Sequence, residues 1–316
     1  MKQMTEPDLQ TYFHRNTSMA NQSYKFLDPQ TVSRLDTLEL RARMVVEGFI
    51  SGLHKSPFHG FSVEFAERRQ YMPGDPIKLI DWKHYAKSDR YYIKQYEEET
   101  NLKSYLLLDL SASMAYTSDV ISKRDYAGSL AAALAYLNLK QRDAVGLVTF
   151  DSQIRKFIPP ASRAGQLNQI LAEIQEQQPA NETDVGSALH LMAERIKRRG
   201  LVVVISDMLD DPDKIISGLR HFRHNRHEVI VFHIVDPRER DFSFREEAVF
   251  KDMETGEEIT TLPWQIRKSY SGAFKEFTDK LSLQCRQSRI DYHLIDTSTP
   301  FDSALYSFLG KRARLY

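Results

Sequence analysis

The stretch Ser104-Tyr-Leu-Leu-Leu-Asp-Leu-Ser-Ala-Ser-Met114 passes from an apolar run into a burst of oxygen-bearing side chains. Leu106, Leu107 and Leu108 read as a strand buried on both faces, because no polar residue interrupts them. Asp109, Ser111 and Ser113 follow at alternate positions, so a strand end opening into a loop can turn all three toward one place. One carboxylate and two hydroxyls are hard oxygen donors, suited to Mg²⁺ or Mn²⁺ and poorly matched to zinc or copper. The same residues also suit a strand followed by a serine-rich turn, or a carboxylate that caps the next helix. The surrounding chain has to decide.

Downstream of this stretch, strands and helices alternate. Helical spacing covers 123–140, 165–177, 185–199 and 213–222. Apolar strands are expected at 144–150, 201–206, 228–235 and 292–295, with a short edge strand at 154–158 stopped by Pro159-Pro160. Asp151-Ser152 reads as a tight turn. A small hairpin is expected over 250–259 around Glu254-Thr-Gly-Glu257, then a long helix over 264–289 and a short C-terminal helix from Pro300. Such alternation with wholly apolar strands implies an α/β fold, a doubly wound and mostly parallel sheet covered by helices on both faces. Ligands in these sheets sit at the carboxyl ends of strands, at a switch point.

Two further segments carry matching chemistry. Leu201-Val-Val-Val-Ile-Ser-Asp207 ends a buried strand on a carboxylate, as the first stretch does at Asp109. Carboxylates at the ends of neighbouring strands repel one another unless a cation or proton intervenes. Asn181-Glu-Thr-Asp-Val-Gly-Ser-Ala-Leu189 places Thr183 just before a helix, where a lone threonine reads better as an N-cap than as a ligand. Asp184 reads as a residue of that helix's first turn.

Upstream, residues 1–28 are polar and without period, a loose arm with no signal-peptide pattern. A helix follows over 28–49, with Arg34, Arg41 and Arg43 on a solvated face. The segment 52–99 is punctuated by Gly and Pro, with β-prone Phe61–Phe65 and Tyr91–Tyr96. Between them, Tyr71 to Lys87 is dense in charge and aromatics. It either packs this extension onto the sheet or forms a partner-facing surface. The expected division is an N-terminal arm, helix and β-containing extension over 1–103 and an α/β domain over 104–316.

The chain has 316 residues, 41% of them hydrophobic, enough for a sizeable core. Its 43 Lys and Arg balance 43 Asp and Glu, which argues against nucleic acid as a partner. The cluster Arg220-His-Phe-Arg-His-Asn-Arg-His227 fits a helix end, where cations complement the dipole, better than a phosphate-binding patch. The single cysteine, Cys285, permits no internal disulfide and suits packing in a reducing, cytoplasmic setting. No window reaches the roughly 18–20 apolar residues of a membrane span, so no direct membrane insertion is expected.

Asp109-x-Ser111-x-Ser113, then Thr183, then Asp207, in that order on alternating strands and helices, resembles the metal-ion-dependent adhesion site of von Willebrand factor type A domains. The resemblance covers about residues 104–300. It implies a Mg²⁺ ion, with Mn²⁺ possible, bound by the two serines and the threonine. The two aspartates would act often through water, and one coordination position would stay open for an acidic residue of a protein partner. A narrower resemblance rests on Tyr71-Met-Pro-Gly-Asp-Pro-Ile-Lys-Leu-Ile-Asp-Trp82, Ala86-Lys87, Glu97-Glu-Glu99, His233-Ile-Val-Asp-Pro237, the Glu254-Thr-Gly turn and Ile290-Asp-Tyr-His-Leu-Ile-Asp-Thr297. These resemble the family called domain of unknown function 58, over about residues 40–312. Pro76-Ile-Lys78 departs from the more acidic, Arg-containing stretch expected there.

Members of that family are often encoded beside MoxR-type AAA+ ATPases. The resemblance therefore implies an adaptor for such an ATPase in assembly or maturation of other proteins. A metal-independent scaffold is the alternative. A metal-dependent phosphoesterase is a third reading, but an Asp-x-Asp pair would need a carboxylate where Ser111 stands. Neither a Gly-x-Ser-x-Gly elbow nor a Gly-rich phosphate loop is present. The expectation is a binding protein, not an enzyme.

Overall fold

Each half of the sheet is built from strands with apolar side chains on both faces, so each strand needs a helix layer above and below it. The computed structural model describes residues 28–55, 68–71, 85, 91–94, 103–176, 184–244, 248–251 and 258–313. Phe61–Phe65, Glu97–Glu99 and Thr183 lie outside the described residues, as does most of Tyr71 to Lys87.

The first helical segment is two helices, α1 (Pro29–Ser33) and α2 (Leu38–Lys55), where a single helix over 28–49 is expected. Asp28 caps α1 by accepting from the Thr31 backbone N–H at 2.9 Å. Thr37 accepts from the Leu40 N–H at 3.2 Å and starts α2 afresh. Arg41 closes the break by donating to the carbonyls of Leu35 and Ser33, both at 2.9 Å. It therefore serves the backbone and is not simply solvated. A two-stranded antiparallel pair follows, β1 (Arg68–Gln70) with β2 (Tyr92–Lys94). The ring of Tyr85 stacks on Tyr91 with centroids 4.4 Å apart.

The main sheet begins with β3 (Lys103–Asp109). A 3₁₀ turn (Ala112–Ala115) leads to α3 (Lys123–Lys140), β4 (Ala144–Phe150), β5 (Ile154–Ala161) and α4 (Gln166–Glu176). Then come α5 (Val185–Arg195), β6 (Leu201–Ser206), α6 (Pro212–His224), β7 (Glu228–Val235) and the short α7 (Pro237–Asp241). A hairpin of β8 (Ala248–Lys251) and β9 (Glu258–Thr261) precedes α8 (Pro263–Gln287), β10 (Asp291–Asp296) and α9 (Phe301–Ala313). The strand order is β10-β7-β6-β3-β4-β5, parallel throughout except for β5, which pairs antiparallel with β4 at the edge. This is the expected doubly wound α/β fold.

Two strand and helix ends differ from expectation for physical reasons. β5 continues through Pro159-Pro160 to Ala161. It is an edge strand, where proline need not donate to a ladder, and the register slips between Val145 and Leu147. Gly146 permits the close approach, since a Cβ there would sit 2.5 Å from the Ile158 carbonyl oxygen. Gln166 then donates to the carbonyls of Val145 at 2.8 Å and Pro159 at 3.0 Å. Helix α5 stops at Arg195, four residues early, because buried Ile196 adopts an extended conformation and returns the chain toward β6.

Alternate residues of each strand feed two cores. Leu106, Leu108, Val203, Ile205 and Phe232 pack under α3, α4 and α9. Helix α2, which precedes the boundary expected at residue 103, contributes Val45, Val46 and Phe49 to this same core. Leu107, Val202, Val204 and Val231 pack on the opposite face against α5, α6 and α8. β3 lies at the centre, flanked by β4 and β6. From β3 the chain first builds outward on one side and later returns to build β6 on the other. The carboxyl ends of β3 and β6 thus bound a switch-point crevice.

Candidate metal centre

Parallel pairing of β3 with β6 sets Leu108 opposite Ile205, so the strands end together on Asp109 and on Ser206-Asp207. Asp109 is fully buried and both of its oxygens are held. Oδ1 accepts the Ser111 N–H at 2.8 Å and Oδ2 accepts the Ser206 hydroxyl at 2.6 Å. Ser206 Oγ in turn accepts the Met208 N–H at 2.9 Å, where the chain turns through a left-handed residue, φ 53° at Met208. Ser111 precedes the 3₁₀ turn and Ser113 lies within it, with their hydroxyl oxygens 3.0 Å apart.

Asp207 is 1% exposed. Its Oδ2 accepts from the Lys123 ammonium at 2.9 Å, while Oδ1 is buried and accepts no hydrogen bond from any described residue. A buried carboxylate oxygen without a donor is a costly arrangement. The structure therefore brings together Asp109, Ser111 and Ser113, with Asp207 on the adjacent strand end. It gives no position for Thr183. Asp184, expected in the first turn of α5, is instead its N-cap and accepts the Ser187 N–H at 3.0 Å. Asp210 ties the same helix start to the loop after β6 by accepting the Gly186 N–H at 2.9 Å.

These residues fit a hard divalent cation. Every donor is oxygen, and one carboxylate oxygen is left over. Two ligands of an octahedral Mg²⁺ at about 2.1 Å would themselves be about 3.0 Å apart, which is the spacing of the two serine hydroxyls. Among the described residues no three His, Cys, Asp or Glu converge as a metal cluster, so the candidate set depends on hydroxyls.

The electrostatics are those of a crowded, dry crevice. Burial, and secondarily the charge of Asp207, push the Asp109 pKa up to about 7 against the pull of its hydrogen bonds. Burial works against the Lys123 ammonium, but the carboxylates of Asp207 and Glu239 outweigh it and raise its pKa above the ordinary lysine value. Burial lowers the His233 pKa to about 4, and its Nδ1 lies 2.6 Å from the Tyr292 hydroxyl. Beside these groups a cavity of about 360 Å³ opens, lined by Lys123, Asp207, His233, Glu239, Tyr270 and Phe274 among others.

Three participants escape a reading of the sequence: Ser206, Lys123 and Glu239. Ser206 had a signal, since it sits one residue before the second strand-end carboxylate. Lys123 and Glu239 had none, because a lone Lys or Glu on a helix reads as solvent-facing. The basic run ending at His227 behaves as a helix end. Arg223 pairs with Glu228 at 2.7 Å, and His227 is buried with its ring 3.0 Å from the Ile196 carbonyl. Cys285 is buried and its thiol is pushed up to about 12 by that burial, so it is packed and not activated.

A central, mostly parallel six-stranded sheet covered by helices, with acidic and hydroxyl side chains on its switch-point loops, makes this a doubly wound α/β protein. The chain belongs to the family described as "Protein of unknown function DUF58", whose model matches residues 67–279. It is 29% identical over 234 residues to the uncharacterized protein Rv1480 of Mycobacterium tuberculosis, covering 72% of this chain and 73% of that protein. Among solved structures it is similar to BatB from Bacteroides thetaiotaomicron, at 16% identity and a TM-score of 0.47, covering 67% of this chain and 99% of that one. It is also similar to the SpRpn10 VWA domain, at 13% identity and a TM-score of 0.39, covering 66% and 95% respectively. No described helix is long and apolar enough to cross a membrane.

Proposed function

We propose that this chain is a cation-dependent protein-interaction module. Ser111 and Ser113 present their hydroxyls to Mg²⁺ or Mn²⁺, Thr183 supplies a third, and Asp109 and Asp207 contribute charge and hold coordinated water. Bound there among mainly neutral donors, the cation keeps much of its charge and attracts a carboxylate from a protein partner. The observation that carries this reading is the buried Asp207 Oδ1, which accepts no hydrogen bond from any described residue, on the strand end beside Asp109, Ser111 and Ser113. An adaptor role beside a MoxR-type AAA+ ATPase, in assembly or maturation of other proteins, rests on the family resemblance alone.

The test is thermal unfolding of the full chain with MgCl₂, MnCl₂ or EDTA. Either divalent salt raises the wild-type Tm, and Asp109→Ala abolishes the rise. A wild-type Tm indifferent to both salts removes the cation from the function. The Lys123 ammonium against Asp207 favours a second reading, a scaffold in which Asp207 is already paired from within. That scaffold would retain its partner equally in EDTA and in Mg²⁺.

A further inference from the structure

Lys123 sits where two general rules oppose it. It is the first residue of α3, and a cation at a helix N-terminus meets the positive end of the dipole. It is also wholly buried, and burying an ammonium costs several kcal/mol unless it is well paired. Both penalties are met by two carboxylates from distant parts of the chain. Nζ lies 2.9 Å from Asp207 Oδ2 and 2.7 Å from Glu239 Oε1.

Glu239 is not free to follow the ammonium elsewhere. Its other oxygen, Oε2, accepts the Asp236 N–H at 2.9 Å as half of the capping box that starts α7. Asp236 in turn accepts the Ser118 backbone N–H at 2.8 Å and the Ser118 hydroxyl. The loop that carries Ser111 and Ser113 is thus bound to α7 through Ser118, and α7 is bound to the second strand-end carboxylate through Lys123. Asp207 is divided by this arrangement. One oxygen is committed to the ammonium and the other is left without a donor among the described residues.

We propose that Lys123 is a built-in counter-cation of the metal centre, a positioning residue that orients Asp207, leaves its Oδ1 for the divalent ion and by its charge weakens the hold on that ion, with Glu239 setting how much of the charge is felt. This rests on the reading of the crevice as a cation site. It follows that the ammonium offsets one of the two carboxylate charges it touches, and that the ion is held exchangeably. Removing the ammonium makes the crevice one charge more negative, and neutralising Glu239 makes it one charge more positive. The two changes act on a divalent ion in opposite directions.

The experiment is titration of the full chain with MnCl₂, followed by electron paramagnetic resonance of free Mn²⁺ and by calorimetry, for wild type, Lys123→Met and Glu239→Gln. Lys123→Met is expected to bind at least about tenfold more tightly and Glu239→Gln at least about tenfold more weakly. If both variants lose affinity together, or either stays within about twofold of wild type, Lys123 is a structural ion pair and the proposal is overturned. Should Lys123→Met fail to fold, the direction of the Glu239→Gln change decides alone. A wild type that binds no Mn²⁺ ends the cation reading on which this inference rests, whatever Lys123→Met does. No binding in any of the three ends both this inference and the cation reading. Binding by wild type that Asp109→Ala removes but the two charge variants leave untouched ends only this one.

Discussion

Asp109 is the most enclosed carboxylate of the proposed site. Its carboxyl is wholly enclosed, and its pKa rises from the ordinary 3.8 to about 7 through burial and the charge of Asp207. Without metal, the folded chain therefore keeps a proton on Asp109 at pH values where the unfolded chain has released it. Across a window from about 4 to about 7 the native state binds more protons, so this group's contribution to stability falls as pH rises. Buried His233 works the other way. Its pKa is lowered from 6.5 to about 4, so its contribution falls as pH drops through that interval. The two can be separated by Asp109→Asn, which cannot titrate and leaves His233 in place. In EDTA, urea unfolding should show wild type losing stability relative to Asp109→Asn as pH is raised from about 4.5 to about 7. Parallel pH profiles for the two proteins would show that Asp109 is already ionised in the fold. Added Mg²⁺ favours the ionised carboxyl, so its stabilisation of wild type should grow over the same interval.

At the scale of elements, the pair α5 and α6 tests how tightly the helix layer on one face of the sheet is built. A Cβ at Gly218 of α6 would sit 2.7 Å from Leu189 Cβ and 3.1 Å from the Gly186 carbonyl oxygen of α5. Gly218→Ala should therefore destabilise the protein by about 1–2 kcal/mol, overpacking outweighing the gain in helix propensity. A urea midpoint at or above the wild-type value would show that the two helices part without cost. The strands and most helices were legible in the sequence because Leu106–Leu108 and Leu201–Ile205 carry unbroken apolar runs that only a doubly covered sheet can bury. Two boundaries escaped for local reasons. The proline pair in β5 reads as a stop, yet an edge position and Gly146 let the strand run on. The break between α1 and α2 depends on side-chain caps from Asp28 and Thr37 and on Arg41, which an apolar stripe does not register. In the crevice, Asp109, Ser111, Ser113 and Asp207 were legible as oxygen donors at strand ends. Lys123 was not, since only the fold brings Asp207 and Glu239 to it from 84 and 116 residues away.

Taken whole, the molecule has no net charge, so the acidic partner proposed above would have to be attracted locally, at the carboxyl end of the sheet. That end also exposes apolar side chains on loops from two different strands. Val120, after the 3₁₀ turn, is 61% exposed, and Leu209, two residues past Asp207, is 52% exposed. Apolar side chains around a charged centre suit an interface in which contact area adds to a single strong ion–carboxylate bond. A purified MoxR-type ATPase from the same genome is the partner that the family resemblance points to. It should be retained by the tagged full chain in Mg²⁺ and released in EDTA. Leu209→Glu puts an anion beside the centre without removing any proposed ligand. It should cut retention by about fivefold or more while the Tm moves little, because the side chain is already exposed to water. Retention that EDTA leaves intact but Leu209→Glu weakens would assign this face to a metal-independent scaffold. Retention indifferent to both would move the ATPase contact to another surface.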